Sequence, residues 1–375
     1  MKMKQCSINL FLICLFLLVV PNPVFAKLEI TPSLSLEEEY TDNLFLEHDN
    51  QDEEWITTIE PGVAIKIDSR WVGLSLDYSF RFEHYMNHDD LTDFDFEGGQ
   101  RANVGTTFFE GRPFTLGVNG TISRETLDDS ENSSEANELI NKSTVYEFTV
   151  NPQYRFRLGG QSSLVFGYIY EITEHEDERG DDSQGHSGKV SLIKKLSTNE
   201  DVSANYTYKI NISDDEEDYT EHSYTLGYNQ QLGPRTTIEL EGGFNTIEYE
   251  NVDDDEDGLT WTVDISYQLT APITLSLMFS QDFDNSSTSG VTESRDASFM
   301  IDYVKHSFQA GIETYWEQSD YVRTAREDKS YGGRLDFSFP LYSNLSTEFD
   351  ADYEKSEYRG LINKKVDQYS LGSGL

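Results

Sequence analysis

Carboxylates are the most abundant chemically competent groups in this 375-residue chain, which holds 69 Asp and Glu against 28 Lys and Arg, a formal net charge of −41. Four runs concentrate them. Asp128 to Glu138, Glu174 to Asp182, Asp214 to Glu221 and Glu250 to Asp257 together contain 23 of the 69. Clustered carboxylates hold divalent cations through oxygen ligands and raise the local cation concentration around them. The last run is the most specific. Asp253, Asp255 and Asp257, followed by Gly258, match the opening of a calcium loop, with Asp264 at the twelfth position. That pattern normally has a bidentate Glu at position twelve and helical flanks, whereas here the position is an Asp and the flanks read as strands. A weak divalent-cation site, calcium for example, at Asp253, Asp255 and Asp257 is the only cofactor the residues suggest. Solvated loops that need only stay soluble are the alternative reading of all four runs.

Other chemistries find less support. His84, His175, His222 and His306 are scattered among many Ser and Asp with no spacing that ties them together, and catalytic triads are recognised by geometry rather than by sequence position. No glycine-rich phosphate loop occurs, and the expectation is a protein that is not an enzyme; an outer-membrane hydrolase is the distant alternative. Nucleic acid is excluded as a partner by the charge, since its binding depends on neutralising phosphates. Basic residues gather late, with Arg323, Arg326 and Lys329 in one loop and Lys355, Arg359, Lys364 and Lys365 in the next. Such a rim, acidic on one side and basic on the other, would orient a charged polymer or bind lipid head groups.

The elements that position these residues are strands. Val72, Leu74, Leu76, Tyr78, Phe80 and Phe82 alternate with Gly73, Ser75, Asp77, Ser79, Arg81 and Glu83, and 144–158 and 259–271 repeat the pattern. A period of two with one apolar face is the strand signature. About 18 such segments follow one another, each about ten residues or longer. Tight turns, such as 68–70 and 110–113, take turns with long acidic loops, such as 41–53 and 128–142. That alternation is the sequence form of an all-β, transmembrane, antiparallel up-and-down β-barrel. An even strand count places both termini at the rim of tight turns, the periplasmic side. The apolar face then meets lipid, with Tyr40, Trp55, Trp71, Tyr170 and Tyr249 as interfacial girdles, and the polar face lines a wet lumen. The charged lumen candidates are Arg81, Glu83, Arg155, Arg157, Lys209, Glu239, Glu241, Arg334, Asp336, Glu348, Asp350 and Asp352; salt-bridged wall packing is the other use for their mixed signs.

Residues 1–26 read as a secretory signal, with Lys2 and Lys4 before an apolar run from Ile8 to Val20 and Val24-Phe25-Ala26 at the cleavage point. Residues 27–375 are then the barrel domain. Cys6 and Cys14 both fall in the signal, so the mature chain has no thiol for disulfides or metal. After Lys27 no apolar run is long enough for a membrane helix, and a closed barrel is the other fold that satisfies its backbone within a bilayer.

The first hairpin carries a resemblance. Lys27-Leu28-Glu29-Ile30-Thr31-Pro32-Ser33-Leu34 leads to Glu38-Glu39-Tyr40-Thr41-Asp42-Asn43-Leu44-Phe45, and then to Asp52-Glu53-Glu54-Trp55-Ile56-Thr57-Thr58-Ile59-Glu60-Pro61-Gly62-Val63. An opening strand, an Asp-Asn-aromatic loop, an acidic stretch and a Pro-Gly strand in this order resemble the beta-barrel porin 2 family, outer-membrane barrels often associated with exopolysaccharide operons. The motif covers about 40 residues, and the rest matches in length and barrel pattern. The resemblance implies a channel in the outer membrane of a Gram-negative bacterium that exports or handles an extracellular polysaccharide. Its partners would be outer-membrane lipid, periplasmic chaperones, the barrel-assembly machinery and polysaccharide-export components. The alternative is a non-conducting docking barrel whose acidic loops hold cations. Barrels of this kind usually finish on an aromatic residue, whereas this chain ends Tyr369-Ser370-Leu371-Gly372-Ser373-Gly374-Leu375, which implies a shortened or atypical last strand.

Overall fold

The computed structural model describes residues 27–45, 52–92, 98–126, 142–177, 179–214, 217–250, 255–286, 290–321, 326–342, 344–360 and 364–375. The expected signal with its two cysteines, the run Asp128 to Glu138, Asp253 and Arg323 lie outside these residues.

Nineteen strand segments form one sheet. They are β1 (Lys27–Thr41), β2 (Glu54–Asp68), β3 (Val72–Phe80), β4 (Phe82–Tyr85), β5 (Gln100–Phe108), β6 (Phe114–Thr126), β7 (Lys142–Arg157), β8 (Ser162–His175), β9 (Ser183–Ser197) and β10 (Glu200–Ser213). There follow β11 (Tyr219–Leu232), β12 (Thr236–Tyr249), β13 (Glu256–Thr270), β14 (Ile273–Ser286), β15 (Gly290–Lys305), β16 (Phe308–Tyr321), β17 (Glu327–Tyr342), β18 (Leu345–Arg359) and β19 (Lys364–Gly374). Segments β3 and β4 are two halves of one barrel strand, so the barrel has 18 strands, as the alternation predicts. Each strand pairs antiparallel with the next, and β19 returns to pair with β1 from Glu37↔Gly374 to Thr41↔Ser370. The sheet is thereby closed. Most strands run 13–16 residues, longer than the 9–11 a tilted strand needs to cross a bilayer, so their ends reach beyond the apolar band.

Prolines accompany several of the irregularities, though the register shift at Glu200 and Asp201 in the β9–β10 pair has none nearby. The expected strand 71–86 is interrupted at Arg81. Leu36 exchanges backbone hydrogen bonds with Leu375, so the even-numbered amides of β1 face β19, and Pro61, opposite Leu34, points its nitrogen away from β1 and toward the third strand. Proline has no N–H to give there, and the β2 ladder lapses between Gly62↔Ser79 and Ile59↔Phe82. Pro152 interrupts the ladder of β7 with β8 between Val150↔Tyr170 and Gln153↔Gly167. A register shift in the β17–β18 pair falls at Pro340. Pro32 sits on the half of β1, Lys27–Ser35, that pairs with β2 alone, where its missing N–H costs no ladder bond.

The tight turns use left-handed backbone. Gly111 (φ 73°) and Gly233 (φ 65°) supply it without a side chain, while Phe109 (φ 60°) and His306 (φ 58°) adopt it as non-glycines. Phe109 packs edge-on to Trp71 with centroids 6.3 Å apart, and the Arg112 guanidinium lies 4.1 Å from the Trp71 ring centroid, so the turn is fixed by its neighbours.

Candidate functional site: the lumen wall

The concave face of a barrel crowds its side chains, and exposure tells the two faces apart. Ile56, Thr58, Glu83 and Tyr85 on the first hairpins, Ser187 and Ser191 on β9, Asn211 on β10 and Ser356 on β18 are buried. Side chains of the opposite parity stand open, with Leu34 and Leu226 each 69% exposed. All twelve lumen candidates have the inward parity. They fall on separate parts of the wall: Arg81 and Glu83 on the third strand, Arg155 and Arg157 on β7, Lys209 on β10, Glu239 and Glu241 on β12, and the remaining five on β17 and β18. Arg81 Nε meets Glu83 at 2.7 Å, and Arg334 Nε meets Asp352 at 3.3 Å.

Register reveals inward charges beyond those twelve. Asp302 lies beside Gly311, Glu313 beside Arg334, and Asp296 beside Glu317. Glu354 pairs across Gly332 and accepts a 3.0 Å hydrogen bond from the Tyr315 hydroxyl. Glu37 and Glu39 complete the run on β1, opposite Gly374 and Gly372, and Glu60 accepts from Ser79. From β15 round to β2 the middle of the inner wall is thus acidic, with Arg334 as its cation. Glycines make room for this. A Cβ at Gly311 would overlap the Asp336 carboxylate, and one at Gly372 would overlap that of Asp350. The period of two carries the signal for all these residues.

The wall from β7 to β10 is mixed, with cations in excess. Arg155, Arg157, Lys189, Lys195 and Lys209 point inward against Glu147, Glu171 and Asp201. Arg155, Arg157 and Lys189 have no ion pair among the described residues, and Lys209 approaches Glu171 at 3.8 Å.

The long-loop rim is built differently from the sequence reading. Asp255 precedes β13, Asp257 lies within it opposite Thr246, and Asp264 is paired with Glu239 on the inner face. Asp257 and Asp264 therefore sit on opposite faces of one strand, so the calcium-loop pattern is strand from Glu256 onward; no group of three or more metal-ligating side chains occurs among the described residues, which do not include Asp253. The acids instead tie down backbone. Asp182 accepts from the His175 amide at 2.7 Å, Asp218 from the Ser213 amide at 2.9 Å, and Asp181 from the Ser213 hydroxyl at 2.6 Å. A hydrogen-bonded Arg179 side chain holds the Asp177 carboxyl below its ordinary range. The expected basic sector is also corrected. Lys329 pairs with Glu327 at 2.9 Å, Arg359 with Glu327 and Glu357 at 3.0 and 3.2 Å, Lys365 with Glu357 at 2.8 Å, and Lys355 with Asp367 at 3.7 Å. Acids interleaved at alternate strand positions neutralise it. Tyr249 leaves the girdle too: it points inward opposite Tyr219 and is buried with Ile247 and Val291. Tyr40 and Trp55 do stack on the outer face, 5.0 Å apart. The four histidines are dispersed. His84 and His222 face outward, His175 faces inward at the rim, and His306 occupies a tight turn.

The first long loop reaches back over the seam. The Asp42 carboxylate accepts the Tyr369 amide at 3.0 Å, and the Asn43 side-chain amide donates to the Asp367 carbonyl at 3.2 Å. Leu44 is buried against Ile56 and Tyr85, with Phe45 and Leu91 alongside. Beneath them the fully buried Glu54 accepts from the amides of Trp55, Met86 and Asn87 at 2.9–3.0 Å and from His88 Nδ1 at 2.6 Å. The Asp-Asn-aromatic loop thus latches the closing strand.

No protein-family model matches the chain, and no curated protein does. Solved structures share its fold. Pseudomonas aeruginosa OccK2 (OpdF) superposes with a TM-score of 0.50 at 12% identity, covering 92% of this chain and 97% of that one. The same protein in complex with glucuronate gives 0.49 at 13% identity, with the same coverage. Pseudomonas aeruginosa OpdO gives 0.48 at 11%, covering 92% and 96%. This chain is similar to them in fold, a closed membrane β-barrel of 18 strands.

Proposed function

We propose that the chain is a channel of the outer membrane of a Gram-negative bacterium, passing hydrated polar solutes through its lumen without covalent chemistry. The observation that carries this is the closed barrel whose inner face is polar and charged through its middle, since barrels of 16–18 strands enclose an aqueous path. The fold it shares with outer-membrane channels supports the same reading. In this reading the tight turns and both chain ends face the periplasm, residues 1–26 direct export, and the acidic loops face outward. Membership of the beta-barrel porin 2 family and a role in moving or handling an extracellular polysaccharide rest on the first-hairpin motif. Periplasmic chaperones, the assembly machinery and export components are the partners this implies. Planar-bilayer recording of the refolded protein tests the channel: stable, cation-preferring conductance steps are expected, and silence at every voltage would sink it. Silence would favour the second reading, a plugged docking barrel, which the two apolar clusters on the inner face at the long-loop rim support.

A further inference from the structure

The charge on the inner wall is divided across the lumen. With β3 and β4 counted as one, β8 and β9 are the seventh and eighth of 18 strands, and β17 and β18 are the sixteenth and seventeenth. Half the circumference separates them. The cationic arc, Arg155, Arg157, Lys189 and Lys209, therefore faces the acidic arc of Glu313, Glu317, Asp336, Asp350, Asp352 and Glu354 across the barrel. In depth it is Lys189 that matches the acidic arc, while Arg155 and Arg157 stand at the tight-turn end of β7, the fourteenth and sixteenth of its 16 residues. Lys189 is the seventh of 15 residues in β9, and Asp352 the eighth of 15 in β18. The cations on β7 and β9 have no ion pair among the described residues, so their charge is presented to the lumen rather than spent on the wall.

Two facing arcs of opposite sign produce a field directed across the channel. A wall of low dielectric focuses such a field into the water it encloses. A solute with one charge is drawn to one side and held there. A neutral solute gains nothing. A solute carrying both charges can turn its ammonium to Asp350 and Asp352 and its carboxylate to Lys189, with Arg155 nearer the tight-turn rim on the same side, and it is stabilised from both sides at once.

We infer that the lumen selects zwitterionic solutes, bearing an amine and a carboxylate at opposite ends, over neutral solutes of the same size. This inference rests on the channel reading above. It asks only that solutes traverse the mid-barrel, and it is independent of the polysaccharide role.

Liposome swelling with the refolded full chain separates the outcomes. Diglycine is the zwitterionic probe and xylose the neutral one. Diglycine is expected to enter at least about threefold faster than xylose. The ratio should fall to about one in Lys189→Gln combined with Arg155→Gln, and likewise in Asp350→Asn combined with Asp352→Asn, while xylose entry stays unchanged. Because the second pair includes the partner of Arg334, the exposed and unpaired Lys189→Gln alone serves as a variant that leaves the wall contacts intact, and its ratio should fall part of the way. Exclusion of xylose by the wild type overturns the channel reading and this inference with it. Free entry of xylose with no preference for diglycine, or a preference untouched by either pair of substitutions, overturns the inference and leaves the channel standing.

Discussion

Asn43 shows how much one side chain contributes to closure. It is fully buried, donates to Asp367 across the seam, and sits between Thr41 and Leu44, which are buried as well. Removing one partner of a buried hydrogen bond costs about 1–3 kcal/mol. Asn43→Ala is therefore expected to lower the temperature at which the folded barrel loses its compact gel mobility, while the exposed Asn199→Ala should not. Equal melting of the two variants would show that the latch contributes nothing. The Asp42-Asn43 pair was legible in the sequence as a motif but not as a latch, because its partners Asp367 and Tyr369 lie more than three hundred positions away. Glu54 was hidden for another reason: one acid among 69 carries no mark of the backbone amides that will surround it.

Strands were legible wherever both faces kept their parity, and the lapse in the third strand traces to a proline. Pro61 turns its nitrogen toward the third strand, so the ladder fails beside Arg81, although the alternation of Val72 to Phe82 reads without a break. Periodicity reports side chains and is blind to a missing amide. Pro61→Val restores the donor, and hydrogen exchange should show a newly protected amide at position 61, while Arg81, whose amide already donates to Gly99, should exchange as before. An amide at 61 that exchanges as freely as a loop would show that something other than proline opens the ladder. Tyr249 failed for a neighbouring reason. An aromatic near a strand end suits a girdle on the outer face and a cluster on the inner one, and parity counted from within β12 decides between them. The late basic loops misled because a sequence count of Lys and Arg ignores the acids that pair with them, two residues away for Lys329 and Arg359 and across the hairpin for Lys355 and Lys365.

At the scale of the molecule, strand number and turn alternation were available from sequence, while the division of charge around the wall was not. That division depends on which strands stand opposite one another, and only closure fixes this. The acidic sector outweighs the cationic one, so the lumen as a whole should prefer cations. Screening lengths shrink from about 10 Å at about 0.1 M salt to about 3 Å at about 1 M. Reversal potentials in KCl gradients should accordingly report strong cation preference in dilute salt and a much weaker one in concentrated salt. Preference that does not change with salt would point to a narrow contact site rather than to the field of the wall.

The seam between β1 and β19 differs from every other strand pair in the barrel. Each of the others joins barrel strands consecutive along the chain, with β3 and β4 counted as one, whereas this one joins strands more than three hundred residues apart, with Leu36 bonded to Leu375. Topologically the molecule is a ring of hairpins cut once. A peptide bridging Leu375 to Lys27 would have to run alongside the nine residues Lys27–Ser35, at about 3.3 Å per residue. With a bridge of that length in place, the chain could be opened at another tight turn, such as the one at Gly233, and the same barrel would be expected from a circularly permuted gene.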